Sequence, residues 1–73
     1  MQDYKNNLFR IAKNLKKLRI SNNYTQEYIC EQLNIDRRGL QRIENPKTCP
    51  DIRYSTLKKF LVFYECTLND LEK

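Results

Sequence analysis

The chain has 73 residues, with 14 Lys and Arg against 9 Asp and Glu, a net charge of +5 and a pI near 9.3. A domain of this size buries only about 60% of the surface its unfolded chain exposes, so the core is thin and each apolar residue matters. No apolar run reaches the roughly 18 residues a membrane span needs, and the polar start MQDYKNNLF lacks the apolar segment of a secretory signal, so neither is expected.

In chain order, residues 1–7 read as a polar lead-in and residues 8–73 as one all-α domain. Leu8, Ile11, Ala12, Leu15 and Leu18 fall at helical spacing and make one apolar stripe. Lys13, Lys16 and Lys17 lie off that stripe and read as a solvated face. The turn residues Ser21, Asn22 and Asn23 place the end of this helix near Ile20.

Thr25 reads as the cap of a second helix over 26–33, with Glu27 in the first turn, where the helix dipole favours an acid. Ile29, Cys30 and Leu33 would face inward. Asn34 and Ile35 form a corner, and Asn is among the few non-glycine residues that accept a left-handed backbone. Asp36 would cap a third helix over 37–44 through its carboxylate, with Leu40 and Ile43 turned inward. Two helices meeting across so short a turn make a helix-turn-helix. The outer face of the third helix carries Arg37, Arg38, Gln41 and Arg42 and no acid of its own, a surface suited to the DNA major groove.

Asn45 precedes Pro46 and is pushed out of helical geometry, which ends the third helix. The loop to residue 54 holds Lys47 and Arg53, which read either as phosphate contacts or as ordinary loop charge. Ser55 is the expected cap of a fourth helix with the stripe Leu57, Phe60, Leu61 and Tyr64. Val62 and Phe63 fall off this stripe. Thr67 and Asp70 stand at capping-box spacing before a short last helix, whose Leu68 and Leu71 would close the core.

From Arg37 to Lys59 seven bases face only Glu44 and Asp51, so the positive charge is concentrated where the motif lies. The three cysteines, Cys30, Cys49 and Cys66, form no C-x-x-C pair, and the chain has no His. They read as reduced thiols of a cytoplasmic protein, with Cys30 and Cys66 acting as small apolar residues and Cys49 exposed in its loop. No metal or other cofactor is expected. With one glycine there is no phosphate-binding loop, and no nucleophile–base pair is evident, so an enzyme is not expected. The tyrosines are scattered and offer no platform for single-stranded RNA.

The K-x-L-R at Lys16–Arg19, the T-Q-E at Thr25–Glu27, Leu33, Ile35, the I-E at Ile43–Glu44, and Leu57, Leu68 and Leu71 together resemble the Cro- and lambda-repressor-like (XRE) helix-turn-helix family. The resemblance runs from about Leu8 to Leu71 and implies a compact bundle of about five helices. It implies that Arg37, Arg38, Gln41 and Arg42 read bases or face phosphates, that Gln26, Asn45 and Lys47 contact phosphate, and that Arg19 and Glu44 form an internal salt bridge. Four residues depart from the family pattern. Cys30 stands in place of Ala, Asn34 in place of the corner Gly, Gly39 where Ser or Thr is common, and Pro46 in place of a Gly. The implied function is a nucleoid-bound transcriptional regulator of double-stranded DNA, repressor-like and homodimeric, with half-sites about 34–36 Å apart. Val62 and Phe63, with Leu71, read either as a dimer patch or as residues that simply close the core. The alternative is a protein-interaction module, such as the antitoxin of a toxin–antitoxin pair, and a restriction–modification controller is a variant of the first reading.

Overall fold

The computed structural model describes residues 2–47 and 52–73, with side chains from residue 7 onward. Among the described residues there are five helices and no strand: α1 (Gln2–Ser21), α2 (Gln26–Leu33), α3 (Arg37–Ile43), α4 (Tyr54–Tyr64) and α5 (Leu68–Leu71). None of these helices is long and apolar enough to cross a membrane. The expected loop exposure of Cys49 falls outside the described residues.

The core takes Ile11, Ala12 and Leu15 from α1, Ile29 and Leu33 from α2, Leu40 and Ile43 from α3, Leu57 and Phe60 from α4, and Leu71 from α5. Each helix therefore turns a narrow apolar stripe inward, as 3.6-residue spacing dictates. Leu18, Cys30, Leu61, Tyr64 and Cys66 pack around this centre. Burial pushes both the Cys30 and the Cys66 thiols up, which keeps them protonated and apolar in behaviour.

Several sequence expectations change. Helix α1 begins at Gln2, so residues 2–7 are not a separate lead-in but the first turns of the helix. Ser55 lies inside α4, and Arg53 holds the N-cap position without a side-chain cap bond. Leu68 is exposed, and of the two leucines of α5 only Leu71 closes the core. Leu71 is 1% exposed and therefore cannot belong to a surface dimer patch.

Other local readings hold. Thr25 Oγ1 accepts from the Tyr28 N–H at 3.0 Å, and Thr67 and Asp70 form a reciprocal capping box. Asn34 adopts φ 55° and ψ 51°, and its N–H returns to the Cys30 carbonyl, so the corner closes without glycine. Helix α5 is tied to α1 by Asn14 Nδ2, which donates to the Leu71 carbonyl at 2.7 Å.

Candidate nucleic-acid interface

Helix α3 is positioned from behind by Leu40 and Ile43, both buried, and from its C-terminal end by Glu44. Arg19 Nε donates to both carboxylate oxygens of Glu44, at 3.1 and 2.9 Å, and Arg19 Nη1 donates to the Tyr24 carbonyl at 3.0 Å. The Glu44 side chain is 3% exposed and that of Arg19 12%, so this is a pair largely removed from water. Gln26 Nε2 is a second donor to the carboxylate, at 3.4 Å. One buried anion thus gathers the end of α1, the start of α2 and the end of α3, which fixes how α3 is offered outward. Tyr64 lies close enough to respond: burial and then the Glu44 carboxylate push its hydroxyl up to about 12.

With Leu40 and Ile43 inward, Arg37, Arg38, Gln41 and Arg42 are all exposed. Arg37 Nη1 lies 3.6 Å from Glu27 Oε2, so the helix face is not free of acid: α2 supplies one. The N-terminus of α3 also departs from expectation. Asp36 occupies the N-cap with φ −82° and ψ 160°, but its carboxylate makes no cap bond. It lies over Gly39 instead, where a Cβ on residue 39 would stand 2.7 Å from Asp36 Oδ1.

Gln26, Gln41 and Asn45 come together, with Glu44 and Pro46, around one depression of about 280 Å³. Gln26 keeps a second N–H and its carbonyl for a ligand there. Asn45 is partly committed, since its Oδ1 accepts from the Lys47 N–H at 2.9 Å. That bond turns the chain at Pro46, and the left-handed residues among those described are Asn23, Asn34 and Glu65. The turn after α3 therefore needs no glycine, which resolves the departure at Pro46. Lys47 and Arg53 are exposed, and neither lines this depression.

The sequence reading missed Lys16. It lines the same depression and also a neighbouring trough with Lys13, Lys17 and Lys73. Its position was recoverable from spacing. Residues three apart share a helix face, so Lys16 must stand one turn from Arg19, whose partner Glu44 immediately precedes Asn45. Lys16 thus stands beside Gln41 of α3, and Lys13 and Lys17 line the trough next to it.

Val62 is 68% exposed, whereas Phe63 is half-buried, its ring 5.7 Å from that of Tyr24 and 5.1 Å from that of Tyr64. The two residues border a groove of about 660 Å³ that also includes Leu33, Lys58 and Lys59.

A helix-turn-helix corner, a buried brace and an exposed cationic second motif helix define the class of protein. Residues 12–72 match the family model described as a helix-turn-helix domain, and the chain belongs to that family. The match is consistent with a Cro-like member and points to a DNA-binding regulator. Comparison with curated proteins and with solved structures found no match.

Proposed function

We propose that the protein is a sequence-specific transcriptional regulator that inserts α3 into the major groove of double-stranded DNA and acts, repressor-like, as a homodimer on a two-fold site. The observation that carries this reading is the exposed row Arg37, Arg38, Gln41 and Arg42 on a helix whose opposite side is locked into the core. Arg37 and Arg38 lie at the N-terminal end of α3, the end that meets base edges. An arginine there gives paired bonds to guanine O6 and N7, worth about 1–3 kcal/mol of discrimination, and Gln41 reads adenine in the same manner. Gln26, Asn45, Lys16, Lys47 and Arg53 supply phosphate contacts, which set register and affinity without reading sequence.

Arg38→Ala is expected to flatten preference at particular base pairs, and Lys47→Ala to weaken all duplexes alike. Selection of bound duplexes from a random pool measures both, and equal losses on all sequences from both variants would sink the assignment. Contact with about 4–6 phosphates per subunit should give a slope near −4 to −5 in log affinity against log salt.

The groove beside Val62 favours a second reading, a protein-interaction surface such as an antitoxin presents to its partner. One domain makes few base contacts, so the homodimer reading places a second copy on Val62 and the exposed edge of Phe63. Sedimentation of Val62→Glu separates the two: a loss of self-association supports the dimer, and an unchanged equilibrium leaves the groove to another protein.

A further inference from the structure

We propose that Glu27 is a positioning residue for DNA reading, which holds the Arg37 guanidinium in a fixed direction and thereby converts affinity into selectivity. The inference rests on the DNA-reading role of α3.

Two neighbouring arginines open α3, and they are held differently. Arg37 Nη1 is 3.6 Å from Glu27 Oε2, on the first turn of α2. Arg38 has no ion-pair partner among the described residues. Glu27 and Arg37 line a single depression between α2 and the start of α3, together with Thr25, Tyr28, Cys30 and Glu31. Their side chains are 75% and 60% exposed, so in water the pair contributes little to stability. Its consequence lies elsewhere. Arg37 sits at the positive end of the α3 dipole, where a cation is disfavoured. A carboxylate across the corner offsets that and limits the directions a long, rotamer-rich side chain samples.

When a duplex approaches, water leaves this corner and the attraction between the two groups grows. An arginine fork already aimed loses less freedom on meeting a guanine, which is the gain of preorganisation. The same carboxylate is unfavourable against the phosphate backbone, because Gln26, its neighbour in sequence, is itself a proposed phosphate contact. Glu27 therefore weakens binding to every duplex, and only a base that accepts the Arg37 fork compensates. That is selection by an unfavourable element as well as a favourable one.

The test uses the full chain with Glu27→Gln, Arg37→Ala and the double variant, each put through selection of bound duplexes from a random pool. Glu27→Gln is nearly isosteric and exposed, so the fold is retained, and circular dichroism checks this. Glu27→Gln is expected to raise affinity for random duplex about five-fold, the equivalent of one unit-charge interaction at 4 Å in water. It should steepen the salt slope by about one. It should also weaken preference at the base pair that Arg37→Ala flattens, and add nothing there in the double variant. An unchanged preference at that base pair, or a change at one Arg37→Ala does not affect, overturns the role of Glu27 while leaving the DNA reading intact. If the unsubstituted chain selects no sequence at all, the base reading itself fails and this inference falls with it.

Discussion

The two helices of the motif obey different rules. Helix α2 follows each of them: Thr25 caps its first turn, Glu27 lies at its positive end, and Asn34 closes its last turn in the left-handed conformation. Helix α3 breaks the corresponding rules one after another. Its N-cap side chain makes no cap bond, its first two residues are both arginines, and Gly39 stands at its third position. A missing cap costs about 1 kcal/mol, a misplaced terminal charge about 0.3–1 kcal/mol, and an interior glycine about 1 kcal/mol. A seven-residue helix does not persist on such terms alone. It is held by Leu40, Ile43 and the Glu44 brace. Local inconsistency confined to one element, with compensation around it, is what a functional surface produces. Under the proposed function, the unsatisfied positive end of α3 is the end offered to acceptor-rich base edges.

The brace is the place to break this arrangement most severely. Arg19→Ala strands a carboxylate that is 3% exposed, and removing one partner of a buried pair costs about 3–5 kcal/mol. Glu44→Ala should cost less, because the Arg19 side chain is long enough to carry its head to water. Urea unfolding of both variants measures the order. Equal losses would mean that the pair is wetter than its geometry indicates.

A smaller effect tests the comparison of caps directly. Thr25→Ala removes a 3.0 Å cap bond and is expected to cost about 1 kcal/mol. Asp36→Ala removes no cap bond and should leave the unfolding midpoint nearly unchanged. If the two variants lose equal stability, the carboxylate of Asp36 is a cap after all and α3 is less exceptional than proposed.

Most of the fold was legible in the sequence because its signals are local. The stripe from Ile11 to Leu15, the Thr25 cap, the left-handed Asn34 and the Thr67–Asp70 box each depend on residues within a turn or two of one another. What was not legible depends on groups distant in sequence or on competition between neighbours. Glu27 is ten residues from Arg37, and only the fold shows that their side chains meet. Lys16 is a middle case: its spacing to Arg19 is local, but it reaches the site only through the Arg19–Glu44 link across 25 residues. Leu68 and Leu71 carry the same helical signal, and the single bond from Asn14 to the Leu71 carbonyl marks which of them α1 covers. Phe63 lies off the α4 stripe, yet it is half-buried, with its ring 5.7 Å from that of Tyr24 and 6.4 Å from that of Tyr28. Ser55 resembles a cap but follows Tyr54, which is already helical.

Gly39 gives the mildest test and separates stability from function within α3. Alanine at a helix interior is favoured over glycine by about 1 kcal/mol. The new Cβ would stand 2.7 Å from Asp36 Oδ1, the free end of a flexible side chain, so the carboxylate can rotate aside at small cost. Gly39→Ala should therefore stabilise the chain by somewhat under about 1 kcal/mol, and the full gain should appear when Asp36→Ala clears the space. If α3 docks as proposed with its backbone close to DNA at Gly39, affinity for the selected duplex should fall in the same variants, because the added methyl group holds the backbone off. A gain in stability with binding unchanged would show that Gly39 merely makes room for Asp36, and the exposed arginines alone would then carry the docking.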